Sequence, residues 1–283
     1  MITTVVEKAW VKVNLTLHVL ERWDNGYHNL DSLVVFGDFA DELHLERAEK
    51  DEFFLFSNVY GSIDSADNLC IRALHALRQQ DCSVGFTKIS LHKNIPVAAG
   101  LGGGSADAAA VLRGLCRLWG LQVHQHILQE VAQSLGADVP VCLSPSAQRM
   151  QGLGEKLTKL YTPSEGYLLL VNDGIPVSTA EVFKGLPRQK RVGMDQLFEL
   201  QNWSHLSSER FRNDLELSAF VLNPDLPILI DEMRALPGCL RAGMSGSGGT
   251  CFALFNQMPG DVVQQACEKW REQGVFAEIC RIL

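Results

Sequence analysis

Between residues 96 and 110 the chain reads Pro96-Val97-Ala98-Ala99-Gly100-Leu101-Gly102-Gly103-Gly104-Ser105-Ala106-Asp107-Ala108-Ala109-Ala110. A glycine-rich loop thus runs straight into an alanine-rich helix. Glycine lets backbone N–H groups turn inward and approach a ligand with no Cβ in the way. A helix opening directly from such a loop adds unpaired N–H groups and a partial positive charge at its N-terminus. Together these make a phosphate cradle built from backbone, Pro96 to Ala106, with Ser105 offering a hydroxyl beside it. A turn-to-helix junction can use glycine for backbone reasons alone, but four glycines stand within the five residues 100–104.

Two common phosphate loops do not fit. A Walker loop ends in Gly-Lys-Ser/Thr, and no lysine follows Gly104. A dinucleotide fingerprint needs glycine where Ser105 stands, three residues after Gly102. Neither Ser105 nor Ser245 lies in a Gly-x-Ser-x-Gly elbow, which removes that hydrolase motif. The pair His124 and His126 stands without a neighbouring carboxylate or cysteine cluster and reads as solvated.

A formal charge of −8 argues against a general nucleic-acid or anionic-membrane binder, so an anionic ligand must be met by local positive groups. Eight cysteines without a Cys-x-x-Cys pair suggest buried thiols in a reducing compartment, not a zinc or dithiol site. No apolar run reaches membrane-spanning length and no basic leader opens the chain, so a cytoplasmic setting is expected. At 283 residues, with 46% hydrophobic content, the chain can build two compact domains or one large one.

Residues 5–20 alternate as a strand does, and Asp24-Asn25-Gly26 supplies a turn before Tyr27-His28. Leu33–Phe36, Leu43–Leu45 and Ile89–His92 read as further strands; Asn68 caps a helix reaching about Arg78. Ala108, Val111, Leu112, Leu115 and Leu118 fall at helical spacing, and Gly120 stops that helix. Another helix ends at Leu135-Gly136. A second unit starts near Tyr167–Val171, with helices around Thr179–Lys184, Gln196–Leu200, Ile228–Leu236 and Asp261–Glu272. Strands over Leu240–Ala242, Cys251–Phe255 and Phe276–Ile282 complete an α+β half with helices on one side of an antiparallel sheet. The expected domains are 1–160, carrying the phosphate loop, and 161–283.

Three separated segments line up: Lys12-Val13-Asn14-Leu15 in an apolar strand, the central loop, and Gly243-Met244-Ser245-Gly246-Ser247-Gly248-Gly249-Thr250 between two strands. This arrangement resembles the GHMP small-molecule kinases over essentially the whole chain. Further pieces are similar to the branch that phosphorylates a cytidine-diphosphate-linked methylerythritol in the non-mevalonate route to isoprenoids. They are Asp24–His28, Asp67-Asn68-Leu69, Gly136-Ala137-Asp138-Val139-Pro140, Gly152–Glu155, Val177-Ser178-Thr179 with Val182-Phe183, and Asn213-Asp214-Leu215-Glu216. Trp10-Val11 stand where that family usually has Pro-Ala, and Gly249 where proline is common; Val97-Ala98-Ala99 replace a more glycine-rich opening.

The resemblance implies an α+β, two-domain GHMP kinase fold, the first domain ribosomal-S5-like and the second ferredoxin-like. It implies ATP with Mg²⁺, and transfer of the γ-phosphoryl group to a tertiary C2 hydroxyl of a small-molecule substrate. It makes Asp138 the general base, where the residues alone suggest an aspartate capping the next helix. It sets Lys12 beside that carboxylate, holding it ionised, where a solvated edge lysine is the plain reading. Asn14, on the same strand face, would bond polar groups of the substrate. Asn68 and Lys93 would reach the nucleoside end of ATP, against a helix cap and a surface charge. Tyr27 and His28, with Phe183, would clamp the cytosine, where lone aromatics are otherwise core. Gly246-Ser247-Gly248 would close over substrate phosphate, or be a tight hairpin only. Another GHMP kinase, acting on mevalonate-type or sugar substrates, would have no reason to combine Tyr27-His28 with Asn213–Glu216. A non-catalytic GHMP-fold binding protein would be expected to lose Lys12 or Asp138, and both are present. The oligomeric state is left open by the sequence.

Overall fold

The structure, a computed structural model, describes residues 2–24, 26–57, 68–81, 83–163, 165–187, 192–194, 202–207 and 211–283. In chain order its first elements are β1 (Thr4–Asn14), β2 (His18–Arg22), β3 (His28–Arg47), β4 (Glu52–Ser57), α1 (Leu69–Gln80) and β5 (Thr87–Lys93). Next come α2 (Gly103–Trp119), α3 (Gln125–Leu135), α4 (Val139–Cys142), β6 (Gln148–Gly152), β7 (Lys156–Lys159), β8 (Tyr167–Asn172) and α5 (Thr179–Lys184). A 3₁₀ turn (Trp203–Ser207), α6 (Glu216–Leu222), α7 (Leu226–Arg234), β9 (Arg241–Met244), β10 (Thr250–Phe255), α8 (Asp261–Glu272) and β11 (Phe276–Arg281) follow. The chain divides into two compact units, each assembled from three separate stretches.

The first unit comprises Met1–Val11, Ala40–Val97 and Gly102–Pro145. Here β4 runs parallel to β5, and β5 pairs antiparallel with Glu42–Arg47 of β3. Helices α1 and α2 pack on each other, and α2 is buried continuously from Ala106 to Leu112. Its small residues explain that depth: a Cβ at Gly114 would stand 2.7 Å from the Leu45 side chain. Gly120 ends α2 in the left-handed conformation (φ +66°) that glycine adopts freely.

The second unit comprises Lys12–Phe39, Ala98–Leu101 and Ser146–Leu283. The first half of β3 pairs with β2 and, through Leu30–Val34, with β6, which continues to β7. A separate four-stranded sheet has the order β11-β8-β10-β9, antiparallel throughout. With α5–α7 between its first two strands and α8 between its last two, this is the ferredoxin-like α+β arrangement expected for the second half. Its core unites Leu169, Val171, Ala253 and Phe255 of the sheet with Ala219, Leu226, Met233 and Val263 of the helices. Leu17 and Val19, far away in sequence, complete it.

The structure departs from the sequence reading in places. Leu33–Phe36 and Leu43–Leu45 are parts of one twenty-residue strand, β3, and residues 5–20 are two strands, not one. Strands β4, β6 and β7 and helices α4 and α6 carry no strong periodicity and went unread. The helix expected at Gln196–Leu200 lies outside the described residues, as do Asn25, Asp67 and Cys82. No disulfide joins any two of the described cysteines. Among the described residues, no helix is long and apolar enough to cross a membrane.

Candidate active site

The glycine loop has the backbone its sequence requires. Gly100 and Gly102 hold φ of +74° and +63°, and Ala98 at +54° is the sole left-handed residue other than glycine among those described. An alanine held there stores strain, a mark of functional loops. Helix α2 then begins at Gly103 with no side-chain cap and no acidic residue in its first turn. Its leading N–H groups and positive dipole end are therefore left for an anion.

Within the second unit, the three glycine- and asparagine-bearing segments come together. The backbone N–H of Lys12 donates to the carbonyl of Leu101 (3.1 Å), and that of Thr250 to Ala99 (3.1 Å). Ser245 Oγ donates to the carbonyl of Gly100 (2.9 Å) and accepts from the Asn14 N–H (3.1 Å). Gly100 must be glycine here: with φ +74°, its Cβ would also stand 2.8 Å from the Gly248 carbonyl oxygen. Gly246 and Gly248 are likewise left-handed, so the C-terminal loop is a tight turn packed against the glycine loop at Gly100. Gly249 has φ +81°, which a proline ring, fixed near about −65°, could not reach. A proline at position 249 could not keep this turn.

The Asn213–Glu216 segment holds that turn, a role the sequence reading did not assign. Asn213 Nδ2 donates to the carbonyls of Met244 (2.9 Å) and Gly246 (2.8 Å). Asp214 accepts from the Val19 N–H (2.9 Å) and from Arg212 Nε (2.7 Å). Glu216 accepts from the Met244 N–H (3.2 Å), and burial pushes its carboxyl above the ordinary glutamate range. Thr179 Oγ1 and Ser247 Oγ lie 2.7 Å apart, so the Val-Ser-Thr segment touches the same loop.

Lys12 is only 2% exposed, not a solvated edge residue, and it lies between the fully buried Val11 and Val13. Asn14, also buried, donates through Nδ2 to Ser32 Oγ (2.7 Å). Its Oδ1 has no hydrogen-bond partner among the described residues, and a buried acceptor left so is costly unless a ligand supplies the donor. In the first unit, Asp138 occupies the position before α4, but its side chain caps no N–H of that helix. Pro140 in the first turn removes one donor it could have capped. The carboxylate is therefore not spent on capping.

His28 and Phe183 face each other with ring centroids 5.1 Å apart and planes tilted by 35°. Burial, with the charge of Arg22, lowers the His28 pKa below its ordinary 6.5, so the ring is neutral at pH 7. Tyr27 beside it is 63% exposed, far more than core packing would leave a tyrosine. Nearby on β3, the buried Asp31 takes Arg149 in a two-point pair (2.8 and 2.7 Å) and the Met194 N–H (2.8 Å). Neither residue of this pair was singled out from sequence; their separation by 118 residues hides it.

Asn68 caps α1, its Oδ1 accepting from the Cys70 N–H at 2.8 Å. Lys93 is no surface charge. It is 3% exposed and donates to the buried Asp41 and to Asp107 (2.7 Å). Burial draws the Lys93 ammonium down, but the charges of Asp107 and Asp41 outweigh it and the net shift is upward. Burial raises Asp107 to about 8 although Lys93 opposes it.

The model of the GHMP kinases N terminal domain matches residues 68–145, and that of the GHMP kinases C terminal domain matches 193–274. The 4-diphosphocytidyl-2-C-methyl-D-erythritol kinase of Cereibacter sphaeroides (strain ATCC 17029 / ATH 2.4.9) is 43% identical over 254 residues, 87% of this chain and 88% of its own. The enzyme of that name from Mesorhizobium japonicum is 39% identical, over 96% of this chain and 94% of its own. Among solved structures, a 4-(cytidine 5'-diphospho)-2C-methyl-D-erythritol kinase superposes with a TM-score of 0.82 at 32% identity, covering 98% of this chain and 99% of that one. A homoserine kinase from Cytophaga hutchinsonii shares the fold at 18% identity and a TM-score of 0.75, over 100% of this chain and 95% of that one. With identity of this level over nearly its full length, the chain belongs to the GHMP kinases, in their family of 4-diphosphocytidyl-2-C-methyl-D-erythritol kinases.

Proposed function

We propose that the chain transfers the γ-phosphoryl group of ATP to the C2 hydroxyl of 4-diphosphocytidyl-2-C-methyl-D-erythritol, in the cytoplasm, as a step of isoprenoid precursor synthesis. The observation that carries this reading is the uncapped start of α2 behind a left-handed glycine loop, a cradle for polyphosphate. Residues 1–160 would bring that cradle, and 161–283 the loop at Gly246-Ser247-Gly248 that covers the substrate phosphates.

In the reaction the C2 oxygen forms a bond to the γ-phosphorus while the β–γ bridging bond breaks and ADP leaves. Asp138 takes the hydroxyl proton, and Lys12 orients the hydroxyl. Backbone N–H groups of residues 96–106 hold the phosphates, with Asn68 and Lys93 toward the nucleoside. Asn14 bonds the acceptor through its buried Oδ1, and Tyr27, His28 and Phe183 hold the cytosine by stacking and by the neutral imidazole. Mg²⁺, when bound with ATP, neutralises charge on the β- and γ-phosphates. The donor chemistry here suits it, since Mg²⁺ keeps water and substrate phosphates as ligands and needs no all-protein cage. Among the described residues there is no group of three or more His, Cys, Asp or Glu for such a cage. The Ser105 hydroxyl would stand beside the phosphates or the ion they carry.

The test is ADP release with the cytidine substrate and, separately, with mevalonate. Turnover on the first and none on the second is expected; the reverse would move the chain's activity to another GHMP kinase reaction.

A further inference from the structure

Two buried acidic side chains meet one ammonium, and nothing in the phosphoryl transfer uses them directly. Asp41 lies on β3, Lys93 at the end of β5 and Asp107 in the second turn of α2. All three are buried and belong to the first unit. Asp41 is fully occupied: one oxygen takes Lys93, and the other takes the N–H groups of Asn94 (2.5 Å) and Ile95 (2.8 Å). Asp107 is not. Its Oδ2 takes Lys93 at 2.7 Å, while Oδ1 is buried with no partner among the described residues. Asp41 also holds the chain leaving β5, a backbone task in which Asp107 has no part.

The place of Asp107 points to its role. The ammonium of Lys93 lies under the first residue of α2, where a Cβ on Gly103 would come within 3.0 Å of it. The two residues after Lys93 begin the approach to the phosphate loop, and α2 leaves that loop. The Lys93–Asp107 bond therefore ties the strand that enters the loop to the helix that leaves it. On α1, Cys70 shares this environment, its buried thiol pushed up by burial and then by the charge of Asp107. Asn68 caps the same helix start, and Leu69 reaches within 3.5 Å of the Cβ position on Gly104.

We propose that Asp107 is a positioning residue for ATP: acting through Lys93, and with Asp41 as the fixed anchor, it sets the start of α2 relative to β5 so that the loop's N–H groups converge on phosphate. This deepens, and rests on, the proposed ATP site. Since only one oxygen of Asp107 is engaged, an amide oxygen in its place can do the same work, whereas a shorter side chain cannot.

The experiment compares Asp107→Ala and Asp107→Asn with the unaltered protein, reading the KM for ATP, the KM for the cytidine substrate, kcat and Tm. Asp107→Ala is expected to raise the KM for ATP about tenfold, as loss of one charge-assisted hydrogen bond would, with the acceptor KM within about twofold. Asp107→Asn is expected to restore the KM for ATP to within about threefold of the unaltered value. Should Asp107→Ala not fold, Asp107→Ser, also too short to reach, takes its place. An unchanged KM for ATP in the shortened variant would overturn the proposal. So would a rise of both KM values together, the sign of general loosening, or an asparagine no better than alanine. Calorimetry of ATP binding without acceptor separates the two levels. If the unaltered protein binds ATP but does not turn over the cytidine substrate, the functional reading fails while the comparison of ATP affinities still decides the role of Asp107.

Discussion

At the scale of single residues, Asp138 and Tyr27 stand in places that a plain structural role does not account for. Asp138 stands where an aspartate would cap a helix and does not cap it. Its backbone (φ −90°, ψ −9°) is one that asparagine adopts without strain, so Asp138→Asn should fold and bind both substrates. Its kcat should fall roughly 10²–10⁴-fold, the worth of a positioned acid–base group. Near-normal turnover in steady-state kinetics would take Asp138 out of the mechanism. Tyr27, an exposed ring beside the His28–Phe183 pair, is the other case. Base stacking is worth about 1–3 kcal/mol, so Tyr27→Ala should raise the KM for the cytidine substrate about tenfold and leave that for ATP unmoved. The opposite pattern would mean that the two nucleotide sites are exchanged. His18 allows a test by pH. Burial, and then the charge of Arg212, lower its pKa below 6.5. In the unfolded chain it binds a proton first as pH falls, so stability is lost below about 6.5, where only the unfolded form gains. Denaturation of His18→Asn at pH 7.5 and 5.5 should show a smaller loss on acidification than the unaltered protein.

At the scale of elements, what was legible depended on how local the cause was. Helix α2 carries its own instructions: glycine before it, alanine and leucine at helical spacing, and Gly120 after it. The four-stranded sheet could be read because its strands are apolar runs bounded by turns. In sequence, strand β3 reads as two pieces because Gly37-Asp38-Phe39-Ala40 has no strand pattern of its own. In the fold, the carbonyl of Phe36 takes the N–H of Leu283, and Asp38 takes that of Arg281. Partners some 243 residues away leave no trace in a local window. The same holds in the site: the glycine loop shows in its own residues, whereas Lys12 reads as an edge lysine, and Asp41 and Asp31 as surface acids, until the fold buries them. The Asn213 segment was noticed as a motif, yet its work as the brace of the C-terminal loop needs the structure. Asn213→Ala would leave the carbonyls of Met244 and Gly246 without their donor. A loss of about 2 kcal/mol or more in urea denaturation is expected, since each buried orphan costs about 1–3 kcal/mol. A loss below half of that would mean that water replaces the amide.

At the scale of the whole molecule, the chain is woven: each compact unit draws on three stretches, and the core of the second needs Leu17 and Val19. A fragment of residues 161–283 should therefore fail to unfold cooperatively by calorimetry, although it contains the entire four-stranded sheet; a sharp transition would show that the sheet and its helices suffice. The weaving also sets a schedule for synthesis. Val19 donates its N–H to Asp214, 195 residues later, which at about 5–20 residues per second emerges from the ribosome roughly 10–40 s afterwards. For that interval β2 can already pair with β3, but Leu17 and Val19 wait for the sheet and helices that bury them. The N-terminal strands thus form their ladder long before they gain their core.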